Sequence, residues 1–277
     1  MISRAELQRL ANREKVALGI LEKDYVLIEV LKALSQVPFL SDLLVFKGGT
    51  ALRIVYFADW RYSEDLDFTV KHDMNEEKLR QSLDEWYFQV EQASQLRLTT
   101  KMLPKPNGYA RVRTQFIGPL AYPGIIFMDL SFDEQLCLEP EWRKVLTEPF
   151  SSKGQKILAY PIEELLAEKM RSLLERGKSR DYYDVWRLLK EQSSKLDLKL
   201  LIEVLFKKLK HKKLTFTGIN DFIPKDTDAL KKYWASELEQ QIIHLPSLDK
   251  VIEELGDMLD KLIAPYLNTQ LLHQNKC

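Results

Sequence analysis

The sequence predicts an α+β protein, a mixed sheet with flanking helices followed by an all-helical C-terminal domain, with the division near residue 150. Three observations carry this. Short apolar runs recur between residues 43 and 132, separated by turn residues or by helical periodicity. Gly48 and Gly49 split an apolar run from a helix-patterned stretch, and a second apolar run carrying Asp65 and Asp67 follows. Beyond "EPFSSKG" the alternation typical of strands gives way to helical spacing. The expected domains are therefore 1–150, with an N-terminal helical segment over about 1–38, and 151–277.

Taken in order, Ser3 and Glu6 form a capping box, and apolar residues then recur at helical spacing through residue 35. "LLVF" (43–46) predicts a short buried strand, "TALRIVYF" a helix, and "DLDFTV" (65–70) the next strand. Asn75 or Asp73 opens a helix running to about Gln92. Strands follow at 96–103, 110–117 and 125–132. The alternation of the middle one predicts a solvated face, while "IIFMDLSF" reads as buried on both. Pro161 starts "PIEELLAEKMRSLLERG", Gly177 stops it, and "RDYYDVWRLLKEQ" begins just beyond. Further helices are expected near 197–210, 226–241 and 247–262.

Composition narrows the functional classes. Lys+Arg and Asp+Glu each total 41, so the formal net charge is +0 and any contact with nucleic acid must be local. Two cysteines, Cys137 and Cys277, make no disulfide framework and fit a reducing cytoplasm. The start lacks the apolar core of a signal peptide, no apolar run reaches the ~20 residues of a membrane span, and four scattered histidines argue against a histidine-rich zinc site.

Strand, Gly48-Gly49-Thr50, then helix places free N–H groups at a helix N-terminus, which suits phosphate, and Thr50 adds a hydroxyl. Taken alone, a tight strand-to-helix turn is the better reading. Asp65 and Asp67, two apart in a strand, share one face. Their mutual repulsion is relieved by a hard cation such as Mg²⁺ (or Mn²⁺). Asp129, between Met128 and Leu130, is expected on the same side as a third ligand, with Asp133 in reserve, and three such acids could hold two metal ions. Lys169 interrupts the apolar stripe of its helix, either snorkelling or serving a triphosphate. Asp181 and Asp184 lie on one side of the next helix, where they orient Lys169 or the acceptor, or pair with Arg176 or Arg180. The basic run "FKKLKHKK" (206–213) suits a helix C-terminus before it suits RNA, and "EWYF" (85–88) suits core packing before base stacking.

Together, GG[ST] at a helix start and a following D-x-D strand resemble the polymerase-β-like nucleotidyltransferase superfamily. "FKGGTALR", "RYSEDLDF" and "EKMRSLLERGKSRDYYDVWRL" more closely resemble the AbiEii/AbiGii nucleotidyltransferase toxins of type IV toxin–antitoxin systems, over roughly residues 40 to 190. The resemblance implies that Gly48, Gly49, Thr50 and Ser63 hold the nucleotide triphosphate, that Asp65 and Asp67 are metal ligands, and that Lys169 and Asp181 complete the active site. It implies transfer of a nucleoside monophosphate from an NTP to an acceptor, which in the related MenT toxins is the tRNA 3′ end, and an antitoxin encoded nearby. Two other readings stay open: an enzyme modifying a small-molecule or protein hydroxyl, and a non-catalytic nucleotide-binding module.

Overall fold

The computed structural model describes residues 1–72, 75–105, 108–150 and 153–274. Asp73, the alternative helix start, and Cys277 lie outside these. The chain divides into two compact units, Met1–Tyr160 and Pro161–Cys277.

In the first unit the helical opening is two helices, α1 (Arg4–Glu14) and α2 (Leu18–Leu34), broken where Lys15 takes a left-handed conformation (φ 53°). Ser3 caps α1 as its sequence predicts, its Oγ accepting from the Glu6 N–H at 3.2 Å. A short helix, α3 (Pro38–Leu43), was not expected, because six residues are too few to show a period. β1 (Leu44–Lys47) leads into α4 (Gly48–Ala51), which runs on as a π turn over Leu52–Tyr56. β2 (Asp65–Val70) matches its predicted bounds. The side chain of Asn75 caps α5 (Glu76–Ser94) by accepting from the Glu77 and Lys78 N–H groups. β3 (Arg97–Lys105), β4 (Tyr109–Ile117) and β5 (Pro123–Ser131) follow.

Two further strands, β6 (Glu141–Lys144) and β7 (Lys156–Ala159), escaped the sequence reading. Each is four residues long, too short for a period-two signal, and β7 lies beyond residue 150. The seven strands run β3-β4-β5-β2-β1-β7-β6. The pairs β2/β5 and β1/β7 are parallel and the others antiparallel.

One sheet face is apolar. Phe46, Leu66, Phe68, Val112, Met128 and Leu130 are buried there. Trp86 of α5 packs edge-on to Phe68 and donates its indole N–H to the Val30 carbonyl of α2 at 2.9 Å. Within "EWYF", Trp86 and Tyr87 are thus core, while Phe88 is exposed. The opposite face carries Lys47, Asp65, Asp67, Arg111, Phe127 and Asp129, by strand alternation and register. β5, expected to be buried on both sides, is buried on its apolar face and half-buried on the other, where Asp129 alone is buried.

Arg53, within the π turn, joins three segments. Its Nε and Nη2 donate to Asp24 of α2 at 2.9 and 3.0 Å, and its Nη1 donates to the carbonyls of Ala58 and Trp60 at 2.6 and 3.1 Å. The guanidinium also lies 3.8 Å from the Tyr62 ring centroid. Both charges are buried and their hydrogen bonding is extensive, so removing either partner strands the other.

The second unit comprises α6 (Ile162–Glu175), α7 (Ser179–Gln192), α8 (Leu198–His211), α9 (Thr227–Leu238) and α10 (Leu248–Gln274). Gly177, at φ +50°, ends α6, and Asp197 and Asp226 cap α8 and α9. Leu165, Leu166, Met170, Val185, Leu188, Leu201, Leu205, Leu255 and Leu259 form its core. Lys208, from the basic run, is fully buried and pairs with Glu164 at 2.8 Å and Glu168 at 3.4 Å. That run is therefore partly interior and not a continuous basic surface.

Asp24→Ala leaves the Arg53 guanidinium buried without its counterion. It should lower the unfolding free energy by about 3–5 kcal/mol, read from urea denaturation followed by tryptophan fluorescence.

Candidate active site

β1 ends at Lys47, and Gly48 turns the chain into α4 at φ +81°. Glycine is required here twice over. The dihedral is in the left-handed region, and a Cβ at position 48 would fall inside the Asp67 carboxylate. A Cβ at Gly49 would sit 2.7 Å from Arg61 Nη2 and 3.5 Å from Ser63 Oγ. The turn's backbone is thus pressed against one aspartate, one guanidinium and one hydroxyl. Thr50 is buried, and its hydroxyl donates to the Asp65 carbonyl at 2.5 Å, tying the helix start to β2. That hydroxyl acts on the frame of the turn, and the N–H groups of the first helical turn are donors of the kind that suit an anion.

Asp65 and Asp67 lie on one face of β2, as alternation requires. The parallel register sets Asp67 directly opposite Asp129, and the antiparallel register sets Asp129 opposite Arg111. The row expected from the sequence is therefore formed. The carboxyl of Asp129, however, is engaged: Arg111 Nε and Nη2 donate to its two oxygens, each at 2.6 Å. Hydrogen bonding to Asp129 raises the pKa of Arg111 above its ordinary value. Burial, with a hydrogen bond to the same carboxylate, raises that of Tyr109. Asp133 lies past the end of β5, against Gly108, and off the row. Lys47 is the cross-strand neighbour of Asp67, and its ammonium lies 5.7 Å from the Tyr160 ring centroid.

Sequence reasoning missed Arg61, Lys47 and Arg111. The first two stand inside the quoted motifs "RYSEDLDF" and "FKGGTALR" and were legible as cations flanking the acids. Arg111 becomes visible only through the β4–β5 register, which a single sequence does not give.

In the helical unit Lys169 does not snorkel. It is buried, with Nζ 2.8 Å from Asp184 and 3.4 Å from Asp181. Arg176 closes the cluster with two bonds to Asp181, at 2.9 and 3.1 Å. Burial pushes the Asp181 carboxyl up, but Lys169 and Arg176 outweigh it and hold the pKa below the usual carboxylate value. Two cations balance two anions, and the buried three, Lys169, Asp181 and Asp184, depend on one another.

The donor chemistry fits a hard divalent cation. Asp65 and Asp67 offer carboxylate oxygens from one strand face, and Mg²⁺ is commonly held by one or two carboxylates with substrate phosphates completing the shell. Among the described residues no group of three or more His, Cys, Asp or Glu is disposed to hold a metal.

Comparison with known proteins defines the class. The family model described as "Nucleotidyl transferase AbiEii toxin, Type IV TA system" matches residues 29–260, and the chain belongs to that family. Among solved structures, MenT4, the nucleotidyltransferase toxin Rv2826c from Mycobacterium tuberculosis H37Rv, is similar in fold, with a TM-score of 0.69 at 16% identity over 95% of this chain and 90% of that one. An H. pylori protein carrying a provisional nucleotidyltransferase name aligns with a TM-score of 0.56 at 21% identity, over 92% of this chain and 99% of that one. No curated relative matches significantly by sequence. Among the described residues no helix is long and apolar enough to cross a membrane.

Two outcomes follow. Gly48→Ala should cost about 1–2 kcal/mol of stability from the left-handed dihedral alone, measured by denaturant unfolding, with further loss from displacing Asp67. Asp181 has a depressed folded-state pKa, so its contribution is complete above the unfolded value of about 3.9 and is lost as pH falls through the folded one. Asp181→Asn should lower thermal stability at pH 7 and flatten the acid limb of the melting-temperature profile.

Proposed function

We propose that this toxin transfers a nucleoside monophosphate from an NTP to an RNA acceptor, the tRNA 3′ end, in a reaction dependent on Mg²⁺ (or Mn²⁺), and so blocks translation. The observation that carries this reading is the packing of the Gly48 turn directly against Asp67, with Asp65 on the same strand face. It joins a phosphate-binding backbone to a pair of hard ligands in one rigid piece.

In this reading the N–H groups of Gly48, Gly49 and Thr50 and the hydroxyl of Ser63 hold the triphosphate. Asp65 and Asp67 hold the cation, which when bound neutralises phosphate charge and favours in-line displacement. The acceptor hydroxyl oxygen forms a bond to the α-phosphorus, the bond from that phosphorus to the β-phosphate bridging oxygen breaks, pyrophosphate leaves with the electron pair, and the hydroxyl proton passes to solvent. Fixed donors in the turn need no rearrangement as charge shifts onto the leaving group. Lys169 and Asp181, at the family's later lysine and aspartate motifs, belong to the catalytic set. The partners are then an NTP, a tRNA and a cognate antitoxin, and the compartment is the cytoplasm, where tRNA and NTP pools lie.

Purified protein incubated with each α-labelled NTP, Mg²⁺ and total RNA should label tRNA, and EDTA should abolish the label. Asp65→Asn and Asp67→Asn should each reduce transfer at least ~10²-fold and relieve growth arrest in cells. Label recovered only on a small molecule or protein would replace the acceptor, and growth arrest surviving the double change would remove catalysis as its cause. Lys169→Ala, if folded by circular dichroism, should also lose transfer; full activity would make the Lys169 cluster purely structural.

A further inference from the structure

Asp129 occupies the register position of a third metal ligand, yet its carboxylate is enclosed. Arg111 meets it side-on through Nε and Nη2, both at 2.6 Å, and the Tyr109 hydroxyl bonds to the same group. The Asp129 side chain is 9% exposed and that of Arg111 31%, so the aspartate is covered more completely than the arginine. The pair uses the Nε–Nη2 edge and leaves Nη1 outside the fork. Phe127, cross-strand from Asp65, supports the guanidinium, whose Cζ lies 5.0 Å from the ring centroid.

A carboxylate has about four lone-pair sites, and three of those on Asp129 are taken by Arg111 Nε, Arg111 Nη2 and the Tyr109 hydroxyl. Turning it toward a cation would strand the arginine, so the paired state opposes metal ligation. What the row offers instead, two strand spacings or about 10 Å from β2, is a permanent positive charge held in place by its neighbours. Guanidinium is the side chain suited to phosphate oxygens, and unlike an ion it does not dissociate.

We propose that the site holds a single divalent cation, on Asp65 and Asp67, and that Arg111, clamped by Asp129, supplies the second positive centre toward the nucleotide's phosphates. This rests on the metal–nucleotide reading above and specifies its stoichiometry. Asp129 is then a positioning residue for Arg111 and not a ligand.

The test is an electron paramagnetic resonance titration of the full chain with Mn²⁺ in the presence of a non-hydrolysable NTP analogue. A single tight Mn²⁺ per chain is expected, unchanged in Asp129→Asn and lost in Asp67→Asn. Arg111→Ala should keep the ion but weaken binding of the analogue about 10²-fold, and Arg111→Lys should fail to restore it. Two tight ions per chain in the unaltered protein, or loss of an ion in Asp129→Asn, overturns the one-metal assignment and leaves the nucleotidyltransfer reading standing. No tight ion in the unaltered protein removes both. The unaltered protein decides the stoichiometry without reliance on any variant.

Discussion

Three consecutive side chains of α2 hold the polar face of the sheet in place, and the buried Asp24–Arg53 pair is the one on which the others depend. Arg53 spends its donors on Asp24 and on the carbonyls of Ala58 and Trp60, so it fixes both the helix after the glycine turn and the segment that brings Arg61 and Ser63 back to it. Lys23 pairs with Glu64, just before β2, and Glu22 accepts from the Leu120 N–H at 2.7 Å between β4 and β5. A buried ion pair is a poor source of net stability, but apolar residues of the same volume could not satisfy those loop carbonyls. The pair specifies a loop path more than it stabilises a core.

The two units treat charge in different ways. On the sheet the acids stand in a row with Lys47 and Arg111 beside them, Asp65 and Asp67 half-buried and Asp129 covered by its arginine. In the helical unit Lys169, Asp181 and Asp184 are buried against one another, and Arg176 closes the cluster from the surface. Coulombic interactions are stronger among the three buried members, so those charges are held more tightly.

Much of this was legible in the sequence, and the failures have physical causes. β2 alternates, and α6 and α7 carry helical periodicity with Pro161 before α6 and Gly177 between the two, so their limits lie close to those expected. α3, β6 and β7 are too short to express a period, and their existence depends on neighbours distant in the chain. In the site, the glycines and β2 acids were readable because local sequence fixes both the turn and the shared face. The commitment of Asp129 to Arg111 was not, because it is a property of strand register. Lys47 stands cross-strand from Asp67, a placement beside the acidic pair that only the register reveals.

The contact between Gly48 and Asp67 has an evolutionary consequence. With no room for even a methyl group between them, positions 48 and 67 are not independent characters. A side chain at 48 meets both the left-handed dihedral and the Asp67 carboxylate, so shortening residue 67 relieves only the second constraint and discards the carboxylate in doing so. Only glycine at 48 satisfies both.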